Sequence, residues 1–224
     1  MDNKYTVPLA IIFGGIIVAT AIYLSIPESA KKGVGDPSLV RPVTIADHIF
    51  GNPAASIMII TYSDFDCTYC KNFHNILHQI IANTGVKGNV AWVFRHFPLS
   101  EIHPNSRSHA RASECVAKTS GNEAFWKFSD ALFANQPIDP SQYGKIASSV
   151  GISGDAFATC FSNIPADIDA RITEDRQNAL DVGATGTPYS IILVNGMYPV
   201  VVDGAYSYDA IKTLIDEALI KTNN

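Results

Sequence analysis

Two cysteines three positions apart, Cys67-Thr68-Tyr69-Cys70, are the residues of this chain most able to do chemistry. A C-x-x-C pair supports thiol–disulfide exchange when the first sulfur is held as a thiolate. It can also supply half of a zinc site, and Cys70, His74 and His78 fall at i, i+4, i+8 on one helical stripe. A structural zinc usually draws a second close-spaced pair, which Cys115 and Cys160 do not provide, so no metal or cofactor is assigned. His74 and His78 are then expected as partly exposed flanks of an amphipathic helix. A purely structural Cys67–Cys70 bond would close too short a loop to stabilise much.

The surrounding pattern says what must hold the pair. Residues 56–62 form a short apolar, β-branched run, consistent with a buried strand. Phe73, Ile76, Leu77, Ile80 and Ile81 then recur at helical spacing until Gly85 offers a stop. Residues 90–94 read as a second strand, which makes a βαβ unit with parallel strands and a right-handed crossover. The cysteines therefore sit where a strand runs into a helix. Free N–H groups and the positive dipole end favour an anion there. Cys67 is expected to be the exposed nucleophile and Cys70, one turn inside, the resolving thiol. Stabilising the thiolate stabilises the reduced pair and makes the disulfide more oxidising.

Residues 103–182 read as helical, with Pro104 and Pro140 at first-turn positions and Asp139 and Ser153 as N-caps. Phe125, Phe128, Leu132 and Phe133 form an apolar stripe, and Gly183 can close a last helix that begins near Pro165. Strand periodicity returns after Gly186-Thr187-Pro188. Asn195-Gly196 predicts a type I′ hairpin, and Pro199 confines its second strand to a sheet edge. Ser207 caps a final helix with Ile211, Leu214, Ile215, Ala218 and Leu219 inward.

The N-terminus has no charged residue from Tyr5 to Pro27. That run is long enough to cross a bilayer core of about 30 Å as a helix. An uncleaved anchor is the favoured reading of residues 1–27; a signal cleaved near Ala19-Thr20-Ala21 and a buried core helix are the alternatives. Flanking charges leave orientation open. Residues 28–41 read as a linker rich in Gly, Pro, Ser and charge. The even cysteine count behind an export segment suits an oxidising compartment, so the body is expected outside the cytoplasm. The chain is 47% hydrophobic with a formal charge of −5 and no basic block, which argues against a nucleic-acid partner.

Several segments together resemble the DsbA-like thiol–disulfide oxidoreductases. They are Gly51-Asn52-Pro53, the stretch Tyr62 to Lys71 around the cysteines, Arg95 to Leu99, His103-Pro104, Ala112 to Cys115, Phe125-Trp126, Leu132 to Gln136, and Gly186-Thr187-Pro188. The resemblance implies an α/β thioredoxin-like fold at 42–102 and 183–224, an inserted α-helical domain at 103–182 and an N-terminal transmembrane helix. It implies catalysis by Cys67 and Cys70, supported by Thr68, Tyr69, Thr187 and Pro188. Pro188 would be cis, leaving the Thr187 backbone to pair with an extended substrate. Unfolded or partly folded exported proteins with thiols would be the partners, and a membrane redox partner would reoxidise the chain. Two departures stand out. Thr68 replaces the family's common proline, and Thr61 stands where relatives often carry a buried acid, so proton transfer at Cys70 must use another group or water. Asp64 and Asp66 are read as locally solvated. Cys115 and Cys160 are expected to form a second disulfide between inserted helices, with two buried free thiols as the alternative.

Overall fold

The computed structural model describes residues 35–84 and 88–222. Five strands form one sheet in the order β1-β3-β2-β4-β5. They are β1 (His48–Gly51), β2 (Ile57–Ser63), β3 (Val90–His96), β4 (Tyr189–Val194) and β5 (Met197–Asp203). The central pair β2 and β3 is parallel, and every other pair is antiparallel. Parallel strands need a crossover, and helix α1 (Thr68–Thr84) supplies it.

Both faces of the sheet are covered. Ile57 and Ile59 point into one apolar cluster with Phe73, Leu77 and Ile80 of α1, while Met58, Ile60 and Tyr62 point into a second. This explains why β2 reads as a continuous apolar run rather than an alternating one, since all seven of its residues are buried. The final helix α6 (Tyr208–Thr222) adds Ile211, Ile215 and Ala218 to the first cluster, and Leu214 and Leu219 pack at its margin. Ser207 Oγ accepts from Ala210 N, as a cap should.

Between β3 and β4 lie four α-helices, α2 (Ser106–Ala134), α3 (Tyr143–Ser149), α4 (Gly154–Ser162) and α5 (Ala166–Asp181), and a 3-10 turn at Pro140–Gln142. The stripe Phe125, Phe128, Leu132, Phe133 is buried, and it joins the same cluster as α1. Helix α5 serves both faces: Ile168 and Ile172 belong to the first cluster, Ala179 and the following Val182 to the second. Gly183 closes it at φ 99°. Helix α2 is kinked at Gly121, whose φ of 83° and ψ of −176° leave the helical region.

The hairpin forms as expected, with φ of 51° at Asn195 and 73° at Gly196, and β5 with Pro199 takes the sheet edge. Strand β1 is an addition to the expected order. Its four residues pair antiparallel with β3, His48 opposite Phe94 and Phe50 opposite Trp92. Ser153 stands at the N-cap of α4 without a side-chain cap bond.

The end of the expected linker is also different. Asp36 N donates to Asp181 O, the Asp36 carboxylate accepts from Ser38 N, and Arg41 pairs with Glu174 and Asp175. Residues 36–41 are therefore fastened to α5, because their charges find partners there. The expected membrane segment at 1–27, and the stop at Gly85, lie outside the described residues. Among the described residues no helix is long and apolar enough to cross a membrane.

Candidate active site

Cys67 is the residue immediately before α1, which makes its sulfur a cap. The Cys70 N–H donates to Cys67 Sγ at 3.4 Å, the bond an N-cap side chain accepts from the third helical residue. The backbone is set for this by Cys67 N donating to Asp64 O and Lys71 N donating to Cys67 O, both at 3.1 Å. On the other side, Cys67 Sγ lies 3.4 Å from Thr187 O, the residue ahead of a cis Thr187–Pro188 peptide bond. Both cysteines are free thiols. Cys67, Cys70, Thr187 and Pro188 thus converge, while Thr68 and Tyr69 face outward, Tyr69 with 70% of its surface exposed.

The two thiols differ sharply in acidity. The hydrogen bond from the Cys70 thiol, followed by the Thr187 hydroxyl and the N–H groups of Cys70 and Tyr69, lowers Cys67 to about 6 although burial opposes the charge. Burial, and then the neighbouring Cys67 sulfur, pushes Cys70 well above the ordinary thiol value, although the Ser63 and Thr187 hydroxyls pull the other way. The Thr187 hydroxyl is buried and has no hydrogen-bond partner in the dithiol form, so it is free to donate when a thiolate forms. Thr61, which stands where the resemblance would put a buried acid, accepts from the Ser190 hydroxyl at 2.9 Å. The group beside Cys70 is Ser63 instead.

Three expectations need correction. Cys67 is largely covered, at 6% exposure, because the Thr187 segment lies against it and Gln136 reaches over the preceding loop to Phe65 O and Cys67 O. Asp64 is buried and accepts from Asp66 N, Leu99 N and His103 Nδ1, because the fold brings these loop donors to its carboxylate. Asp66 is likewise engaged, accepting from His109 Nε2 at 2.9 Å, while Tyr143 O–H donates to His109 Nδ1 at 2.6 Å. Finally, His74 is buried, at 3% exposure, because α2 lies over this part of α1 and brings Asp130 to its ring. Apart from the Asp64–Asp66 bond, these partners lie far apart in sequence. Only their side-chain types were visible there.

Cys115 of α2 and Cys160 of α4 are joined by a disulfide, with Cα atoms 5.7 Å apart. Beside it a buried carboxylate, Glu114, accepts from His48 Nε2 at 2.7 Å and His96 Nε2 at 2.8 Å, and Arg171 Nε lies 3.0 Å away. Burial opposes the charge on Glu114, but the two imidazoles hold it below the usual carboxylate range.

A family model described as thioredoxin matches residues 43–217. The chain belongs to the thioredoxin family. Solved structures of DsbA-type thiol–disulfide exchange proteins share its fold. Alpha-DsbA1 from Wolbachia pipientis superposes with a TM-score of 0.71 at 24% identity, over 83% of this chain and 99% of that one. BdbD from Bacillus subtilis, in its oxidised form, gives 0.66 at 25% identity, over 80% and 96%. This thioredoxin-family chain is also 31% identical over 193 residues to the Na(+)/H(+) antiporter NhaA 1 of Mycolicibacterium vanbaalenii. The match covers 84% of the chain but only 29% of the antiporter, so the chain spans under a third of the curated relatives of this type.

Proposed function

We propose that this chain is an extracytoplasmic disulfide oxidase that passes a Cys67–Cys70 disulfide to the thiols of exported polypeptides. The observation that carries the reading is the capped sulfur of Cys67, stabilised as a thiolate beside a Cys70 thiol that resists ionisation. In the oxidised chain, a substrate thiolate attacks Cys67 Sγ, the Cys67–Cys70 bond breaks, and Cys70 leaves and takes up a proton. A second substrate thiolate then attacks the substrate sulfur of the mixed disulfide. Cys67 departs as a thiolate, and its low pKa makes it the better leaving group. The substrate gains a disulfide, and two electrons remain on the chain as the Cys67 thiolate and the Cys70 thiol. A membrane redox partner takes those electrons and restores the disulfide.

The Thr187 backbone, lying against Cys67, offers an extended substrate a strand-like edge beside the reacting sulfur. The Cys115–Cys160 bond supports an oxidising compartment, since such bonds seldom persist in the cytosol. An uncleaved N-terminal helix at 1–27 would hold the domain at the membrane there. Reductase or isomerase work uses the same two sulfurs at a different potential. A value near −120 mV, about that of a strong oxidant, goes with oxidation, and one near about −270 mV goes with reduction.

The test is recovery of reduced, denatured ribonuclease. Oxidised wild-type protein regains ribonuclease activity stoichiometrically and, with an external oxidant, catalytically, whereas Cys67→Ser does not. Equal recovery with wild type and Cys67→Ser would remove the enzymatic reading.

A further inference from the structure

Two clusters of imidazole and carboxylate groups among the described residues bring three ligand atoms together: His48, His96 and Glu114, and His74, His78 and Asp130. In the first, Arg171 already supplies a fixed positive charge to Glu114, at 3.0 Å from the same oxygen that both histidines contact. It is a completed ion-pair network. The second has no such cation on its carboxylate among the described residues.

His74 and His78 sit one turn apart on α1, and Asp130 faces them from α2. Asp130 Oδ1 lies 2.6 Å from His74 Nε2 and 2.8 Å from His78 Nε2, and the two nitrogens are 3.1 Å apart. Without an ion this arrangement is awkward. Each imidazole must carry its proton on Nε2 to bond the carboxylate, which sets two N–H groups against each other. A cation removes the conflict, because all three atoms then present lone pairs to one point. Zinc–nitrogen and zinc–oxygen bonds of about 2.0–2.2 Å place tetrahedral ligands about 3.4 Å apart, so the three atoms need to spread by under about 1 Å.

The surroundings suit such an ion. The His74 ring is wedged between Trp92, at 4.9 Å, and Phe133, at 4.6 Å, so its position is held by packing. Its buried Nδ1 has no hydrogen-bond partner, so no donor there opposes moving the ring proton from Nε2 to Nδ1 when Nε2 takes an ion. His78 is partly exposed and Asp130 about half exposed, which leaves an open side to the cluster for a water ligand. Asn75 and Gln79 line that recess, and Lys71, which also lines it, directs its ammonium to Ala134 O.

We propose that His74 Nε2, His78 Nε2 and Asp130 bind a divalent cation of zinc-like chemistry, with a fourth position open to solvent. The ion clips the helix that Cys67 caps and that carries Cys70 to the long helix of the insertion. Two histidines and a carboxylate suit zinc, and other imidazole-binding metals such as nickel or copper, better than calcium or magnesium. The sequence hid this site because Asp130 lies 52 residues from His78, whereas the stripe visible there pointed to Cys70 instead.

The experiment is calorimetric titration of the full chain with Zn2+, with Cys67 and Cys70 oxidised so that neither thiol can take the ion. One saturable equivalent is expected, and the thermal midpoint rises with Zn2+. His78→Gln and Asp130→Asn each weaken binding about tenfold or more while keeping the metal-free thermal midpoint; two variants are used so that one misfolded protein does not decide the outcome. Co2+ should show the visible bands of nitrogen and oxygen ligation without sulfur charge transfer. Absence of saturable binding, or wild-type affinity in both folded variants, overturns the proposal.

Discussion

The sulfur of Cys67 occupies a place that Ser, Thr or Asp fills in most helices, accepting the third N–H of α1. A thiol there is worth most when ionised, and that links redox chemistry to stability. Cys67 in the folded reduced chain ionises at about 6, below the ordinary thiol value of 9.0. Its contribution is therefore fully present above about pH 9 and lost as pH falls through about 6. Cys70 is raised, so its contribution is present below the ordinary value and lost as pH rises beyond it. The stability of the reduced form relative to the oxidised form should accordingly rise from about pH 6 to about 9 and turn down above that. Urea unfolding of both forms across this range checks it, and a difference that falls between pH 6 and 9 would contradict the assignment. The C-x-x-C at a strand-to-helix junction was legible from residue type and local period alone. The covering of Cys67 was not, because Thr187 and Gln136 reach it from 120 and 69 residues away.

Elements were legible where one strong period ran without interruption. Helix α1, the β4–β5 hairpin and α6 each combine a clear apolar pattern with a recognisable start or stop. Strand β1 escaped because His48–Gly51 is four residues long, begins with a buried histidine and ends in a glycine at φ 103°. Its place is decided by pairing with β3 and by the Glu114 carboxylate, not by its own propensity. The same holds for Asp64 and Asp66, whose acceptor roles depend on loop and helix partners brought in by the fold. The Cys115–Cys160 bond ties α2 to α4 across 45 residues of chain. Replacing both by alanine should lower stability by about 2–4 kcal/mol, chiefly by loosening the constraint on the unfolded chain. Equilibrium unfolding with the Cys67–Cys70 pair kept in one redox state measures this; a loss well under about 1 kcal/mol would mean that the bond does not constrain the unfolded chain.

Across the whole molecule, the sheet and the inserted helices share one apolar cluster. Phe73 of α1, Phe128 of α2, Phe157 of α4 and Ile215 of α6 all belong to it. The active-site helix is thus packed on one side by the sheet and crossed on another by α2, so the insertion is part of what holds the cysteines in place. The order strand, helix, strand, helices, hairpin, helix was enough to suggest an α/β unit interrupted by a helical block, and the family resemblance supplied the thioredoxin-like fold; the cross-connections between its halves were not readable, since each joins residues tens of positions apart. The central claim is that this packing presents Cys67 as a stabilised thiolate next to an un-ionised Cys70. Titration of the thiolate ultraviolet absorbance of the reduced protein against pH, with the oxidised protein as baseline, tests that claim most directly. A single step near pH 6 that disappears in Cys67→Ser is the predicted result. A first midpoint at or above about 8.5, the value of a free cysteine, would contradict it.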